Sequence, residues 1–89
     1  MFTLWGKLCK NNRITADLTV RDSSSETRTH KVFAALTQIC VHFDLSQPIW
    51  LESNITEFRS RAKTRFYRDH FIDDISFDYL EIQILEEDD

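Results

Sequence analysis

A single glycine, Gly6, serves a chain of 89 residues. Phosphate-cradling P-loops and dinucleotide-binding turns need several glycines, because the backbone must approach phosphate where a Cβ would intrude. Both are excluded. In an opening strand, Gly6 marks either a bulge or a place where something packs closely on the backbone. Cysteine is scarce too, with only Cys9 and Cys40. A secreted domain of this size would carry roughly four or more. Two buried thiols fit an intracellular, cytoplasmic chain. The start, MFTLWGK, holds no apolar run of the signal-peptide kind. No stretch nears the roughly 20 apolar residues of a membrane span, so no membrane partner is expected. Metal-ligand spacings such as CxxC or HxxxH are missing. Cys40 and His42 stand two apart, roughly 200° around a helix, and could not easily share an ion. No metal and no cofactor is expected.

What is present points to one small globular domain, residues 1–89. Seven Phe, two Trp and two Tyr can fill a thin two-layer core with few residues. The net charge of −4 hides a segregation of signs. Residues 1–68 carry all eleven Lys and Arg and sum to +5, whereas residues 69–89 hold nine acids and sum to −9. The whole-chain pI therefore says little about partners.

The apolar periods give the element order. Residues 2–9 place Phe2, Leu4 and Leu8 on one face of a strand, with Trp5 on the other beside Lys7 and Cys9. In residues 13–21, Ile14, Ala16, Leu18 and Val20 alternate with Arg13, Thr15, Asp17, Thr19 and Arg21, the period of a half-buried antiparallel strand. Lys10-Asn11-Asn12 is the turn between them, since Asn tolerates positive φ. Ser23 and Glu26 have capping-box spacing before a helix over about 25–43. Its stripe is Val32, Leu36, Ile39 and Phe43, widened by Phe33 and Cys40. Pro48 closes that helical stretch. PIWL, residues 48–51, predicts a brief strand. Asn54 opens a second helical pattern that carries Phe58 inward. Residues 59–66 fit either a helix, with Arg61, Arg65 and Arg68 in one row, or a strand, with Arg59, Arg61, Lys63 and Arg65 on one side; a helix to about residue 62 followed by extended chain is the favoured reading. Residues 71–76 form a turn anchored by Phe71, Ile72 and Ile75. Residues 77–86 are the strongest strand. Leu80, Ile82 and Ile84 occupy one face and Phe77, Tyr79, Glu81, Gln83 and Leu85 the other, a two-faced pattern that suits a central position. Residues 86–89 read as a frayed acidic tail.

A hairpin, a long helix, a short strand, a short helix and a closing strand beside the first make an α+β domain. That order resembles the β-grasp, or ubiquitin-like, plan over most of the chain. Ubiquitin-like modifiers end in Gly-Gly, whereas this chain ends LEEDD, so the resemblance does not extend to conjugation. The phrases SQPIWL and FDYLEIQIL resemble a family of small bacterial proteins of unknown function, which implies no activity.

The functional lead is FRSRAKTRFYRDHF, residues 58–71. Arg59, Arg61, Lys63, Arg65 and Arg68 supply phosphate-binding charge, and Phe66 and Tyr67 supply rings for base stacking. The same residues also read as a solvated face, or as partners for the acids that follow, with Glu81 or Asp78 across a strand pair from Arg65 or Lys63. Asp69-His70 with Asp73-Asp74 sets a histidine among carboxylates, with Ser60 and Thr64 upstream as nucleophiles. Such residues at a turn more often serve as caps and solvated groups, so no catalytic residue is assigned. Trp5, and Trp50 within PIWL, are natural interface anchors if exposed. The expectation is a non-catalytic module that binds another protein, or a second copy of itself, through Trp5, Trp50, Arg61 and Arg65. The alternative is a nucleic-acid-binding protein using Arg59, Arg61, Lys63, Arg65, Tyr67 and Arg68.

Overall fold

Two asparagines turn the opening hairpin. Asn11 and Asn12 adopt φ of 53° and 63°, the left-handed pair that matches the twist of a two-residue hairpin loop. They join β1 (Phe2–Lys10) to β2 (Arg13–Asp22). The structure, a computed structural model, describes residues 1–87. After β2 come α1 (Arg28–His42), α2 (Glu52–Arg61), β3 (Lys63–Tyr67), a single 3-10 turn over Arg68–His70, and β4 (Tyr79–Glu86). The sheet order is β2-β1-β4-β3, and every neighbouring pair is antiparallel. This is an α+β domain with a β-grasp-like order, and the closing strand lies beside the first. No helix among the described residues is long and apolar enough to cross a membrane.

One face of the sheet is covered by α1. Val32, Ala35, Leu36, Ile39 and Cys40 are its buried residues. They meet Phe2 and Leu4 of β1, Val20 of β2, Phe66 of β3, and Leu80 and Ile82 of β4 in one core. Each such side chain contributes about 1.5–3 kcal/mol by leaving water. Gly6 lies where the helix comes closest. A Cβ built there would stand 2.7 Å from Ile39 Cδ1 and 2.9 Å from its Cγ2, so the glycine is required for close approach rather than for a bulge.

Two β-bulges correct the period-two reading. Leu8 pairs with Ala16 while Cys9 pairs with Ile14, which leaves Thr15 extra. The bulge turns Ile14 off the core face, where it is 52% exposed. At the far end, Thr3 pairs with Glu86 and Leu4 with Ile84, which leaves Leu85 extra and exposed. β4 begins at Tyr79, so Phe77 precedes the strand and turns into the core, 5.9 Å from Phe71 between ring centroids. The turn residue Ile72, expected as an anchor, is 82% exposed.

The helix ends differ from expectation as well. Thr27, not Ser23, caps α1, its hydroxyl accepting from the His30 N–H at 3.3 Å. The end of α1 is a Schellman turn. Leu45 N–H donates to the Cys40 carbonyl and Asp44 N–H to the Val41 carbonyl, with Asp44 at φ 56°. The helix therefore stops before Pro48 acts. Residues 48–51 are extended but form no strand. Pro48 lacks a donor, and Ile49 N–H goes instead to the His70 carbonyl at 2.7 Å. The short strand is β3, after the short helix rather than before it. α2 ends at Ala62, whose φ of 57° swings the chain into β3. Glu86 closes β4 and Glu87 is held by Arg28, so of the expected tail only residues 88 and 89 lie outside the described residues.

Candidate interaction surfaces

The sheet face away from α1 has no helix over it, and its side chains satisfy one another. Strand register places Asp17, Lys7, Glu81 and Arg65 in one row across all four strands, alternating in charge. Lys7 and Glu81 form an ion pair, although each residue is almost wholly buried. Arg65 Nε donates to the second Glu81 oxygen at 2.8 Å, the cross-strand pairing anticipated from sequence. Burial alone would raise the Glu81 pKa, but hydrogen bonds and charge from Lys7 and Arg65 outweigh it and hold it below the ordinary value. The same contact with Glu81 raises the pKa of Arg65.

Aromatic rings roof this row. Trp5 is half-buried. Its Nε1 donates to Asp17 at 2.8 Å, and Lys7 Nζ lies 4.0 Å from the centre of its ring. Arg65 lies 4.4 Å from the centre of Tyr79, which neighbours Tyr67. Trp5 and Arg65, both expected to meet a partner, are therefore engaged within the chain. Cys9 is buried on this face beneath Tyr79, while Cys40 lies in the core on the other side of the sheet, its thiol pKa pushed up to about 11 by burial. The two thiols occupy separate layers, and both are free.

The basic stretch is divided among three elements. Arg59 and Arg61 belong to α2, Lys63 and Arg65 to β3, and Arg68 to the 3-10 turn. Arg61, Lys63, Arg65 and Tyr67 do share a cavity of about 260 Å³, but Glu57 and Glu81 line it with them. Phe66, considered as a stacking ring, is fully buried. α2 is fastened to the edge of β3 by Asn54. Its Oδ1 accepts from Leu51 N–H, and its Nδ2 donates to Thr64 Oγ1 at 2.8 Å and to the Arg65 carbonyl at 3.0 Å. Thr64 Oγ1 in turn donates to Glu57. Asn54 is thus the third residue of α2, reaching back to cap the Leu51 N–H rather than being the N-cap itself, and Thr64 is a structural hydroxyl.

His70 is buried and equally structural. Its Nδ1 accepts from Tyr67 N–H at 3.0 Å, its carbonyl holds Ile49, and it lines neither cavity. Asp69 beside it is exposed. Among the described residues no group of three or more His, Cys, Asp or Glu side chains is placed to hold a metal ion.

The second cavity lies between α1 and α2, on the helix side. It measures about 270 Å³ and is lined by Val32, Phe33, Trp50, Ile55 and Phe58, with arginines at its rim. Trp50 is its centrepiece, with Phe33, Phe58 and Phe66 arranged edge-to-face around it at 5.7, 5.6 and 5.1 Å between centroids. The Trp50 Nε1 is enclosed and has no hydrogen-bond partner among the described residues. Phe33 and Ile55 remain 46% and 42% exposed, with Ile49 and Leu51 exposed close by in sequence to Trp50. The sequence pointed to Trp50. It did not point to Phe33 as a wall of a cleft, because its spacing matched the core stripe of α1.

No protein-family model matches the chain, and no match was found among curated proteins or solved structures.

Proposed function

We propose that this chain is a small, non-catalytic, cytoplasmic protein-interaction module that docks an apolar segment of a partner protein in the groove between α1 and α2. One observation carries the reading: the enclosed, unpartnered indole N–H of Trp50 in a cleft walled by exposed Phe33 and Ile55. Buried donors are nearly always satisfied, and each exception asks for an explanation. At about 270 Å³ the cleft is smaller than the roughly 300–1,000 Å³ of most small-molecule sites. It suits one or two apolar side chains of a peptide, with an aromatic anchor of the kind that dominates interface energies. The sheet face is the weaker candidate, because Trp5, Lys7, Glu81 and Arg65 already meet one another. Nucleic-acid binding is weakened by the same pairing and by the two carboxylates in the basic cavity.

The test is selection of a displayed peptide library against the chain, followed by amide and indole shift mapping with the enriched peptides. Shifts centred on the Trp50 indole, Phe33 and Ile55, lost in Ile55→Glu, are expected. Peptides that map instead to the Trp5 face, or an absence of enrichment, would overturn the reading. A single-stranded oligonucleotide run at about 50 and 200 mM salt supplies the contrast, since phosphate tracking falls by orders of magnitude over that range.

A further inference from the structure

The rim of the groove is charged. Arg28, the first residue of α1, and Arg59 of α2 both line the cleft. The guanidinium carbon of Arg28 lies 5.5 Å from the centre of the Phe58 ring, one wall of the groove. Its Nε donates to Glu87 Oε2 at 2.9 Å, with both side chains nearly half exposed, at 45% and 42%. The Arg59 side chain has no hydrogen bond or ion pair among the described residues. A carboxylate of this chain is thus already paired with one of the arginines that line the apolar cleft.

Resting on the groove-docking reading above, we infer that the docked segment carries an Asp or Glu side chain beside its apolar anchor, and that this carboxylate displaces Glu87 from Arg28. The apolar floor supplies affinity but little discrimination, because most hydrophobic side chains of suitable size would fill it. Discrimination comes from the rim, where complementary charge selects partners and speeds encounter. A guanidinium fork matches a carboxylate in geometry as well as sign, and Arg59 offers a second one. Glu87 acts as a tethered competitor. It keeps Arg28 oriented in the empty protein, yet an exposed ion pair of this kind shifts an equilibrium by only about fivefold at most, so an incoming acid replaces it readily. A Lys- or Arg-bearing segment would meet two like charges at the same place.

The test uses short capped peptides with Leu and Phe at spacings of three and four, and with Glu, Gln or Lys at every other position. Binding is read from the Trp50 indole resonance of the labelled full chain, with Trp5→Phe assigning the second indole. The Glu peptide should bind about tenfold tighter than the Gln peptide, with the Lys peptide weakest. Arg28→Glu combined with Arg59→Glu should invert that order. Glu87→Gln should tighten the Glu peptide by about two- to fivefold and leave the Gln peptide unchanged, an effect that a purely structural Arg28–Glu87 pair would not produce. Equal binding of the Glu and Gln peptides at Trp50 would overturn the carboxylate assignment while the groove reading stands. Failure of all the peptides to move the Trp50 resonance would overturn both.

Discussion

The two faces of the molecule handle polar groups in opposite ways. On the open sheet face, Asp17, Lys7, Glu81 and Arg65 lie in register across four strands, and the Trp5 indole finds Asp17. That face is wet on paper and closed in practice, since its charges answer one another. On the helix side, Trp50 sits among three aromatic rings, and its N–H finds nothing. Two tryptophans that looked alike in sequence therefore have different roles. Trp5 roofs an ion pair, and Trp50 waits at a cleft. Half-burial by itself does not distinguish the two indoles; the state of the polar atom does.

The sharpest way to break the sheet face is to remove one charge from its buried pair. Glu81→Leu leaves Lys7 buried without a partner and should destabilise the fold by about 3 kcal/mol in chemical denaturation. Adding Lys7→Met should recover most of that loss, because no buried charge is then left unpaired, and Arg65, nearly half exposed, can turn to water. Full destabilisation in the double variant would mean that packing, not charge, is what matters there. Gly6→Ala should cost about 1–3 kcal/mol by forcing Ile39 off its position. Ile39→Ala in the same chain should cost less than it does alone, and strictly additive losses would show that the two sites are not in contact.

Acid titration separates the faces further. The Glu81 pKa is lowered in the folded chain, below its ordinary value of 4.5. Its contribution is complete above that value and is lost as pH falls through the folded one. Between neutral pH and about pH 3 the wild-type chain should lose more stability than Lys7→Met/Glu81→Leu; parallel curves would remove Glu81 from the account. Groove substitutions should behave in the reverse manner. Ile55→Glu should change stability by no more than about 0.5 kcal/mol, because Ile55 is already exposed, while abolishing peptide docking. A gain rather than a loss is expected at Ala62, whose φ of 57° suits glycine better. Ala62→Gly should stabilise by about 0.5–1 kcal/mol or leave the chain unchanged, and a clear loss would indicate that the methyl group packs usefully.

Much of the fold was legible because it is written in local period and turn chemistry. Asn11-Asn12, the Val32–Leu36–Ile39 stripe of α1, the helix-to-strand change at Ala62 and the central place of β4 all follow from residues close in sequence. The candidate site was legible only in part. Trp50 stood out by size, but the cleft depends on Phe33 from α1 and on Ile55 and Phe58 from α2, three residues on two helices whose juxtaposition no local pattern records. The basic stretch shows the same limit, since residues adjacent along the chain are divided among α2, β3 and the 3-10 turn.

By itself, the sequence determined the opening hairpin, the two helices and the closing strand, the core stripe of α1, and the exclusion of glycine-rich phosphate loops, but not the strand expected at residues 48–51. Those features depend on backbone preference and on which side chains repeat at 3.6 or at 2, properties each segment carries alone. Tertiary structure decided the bulges that expose Ile14 and Leu85, the inward turn of Phe77, the pairing of Glu81 with two cations, and the different fates of Trp5 and Trp50. In each case the outcome depends on what another strand or helix brings into contact, and water is excluded or admitted by the assembled layers rather than by any one of them.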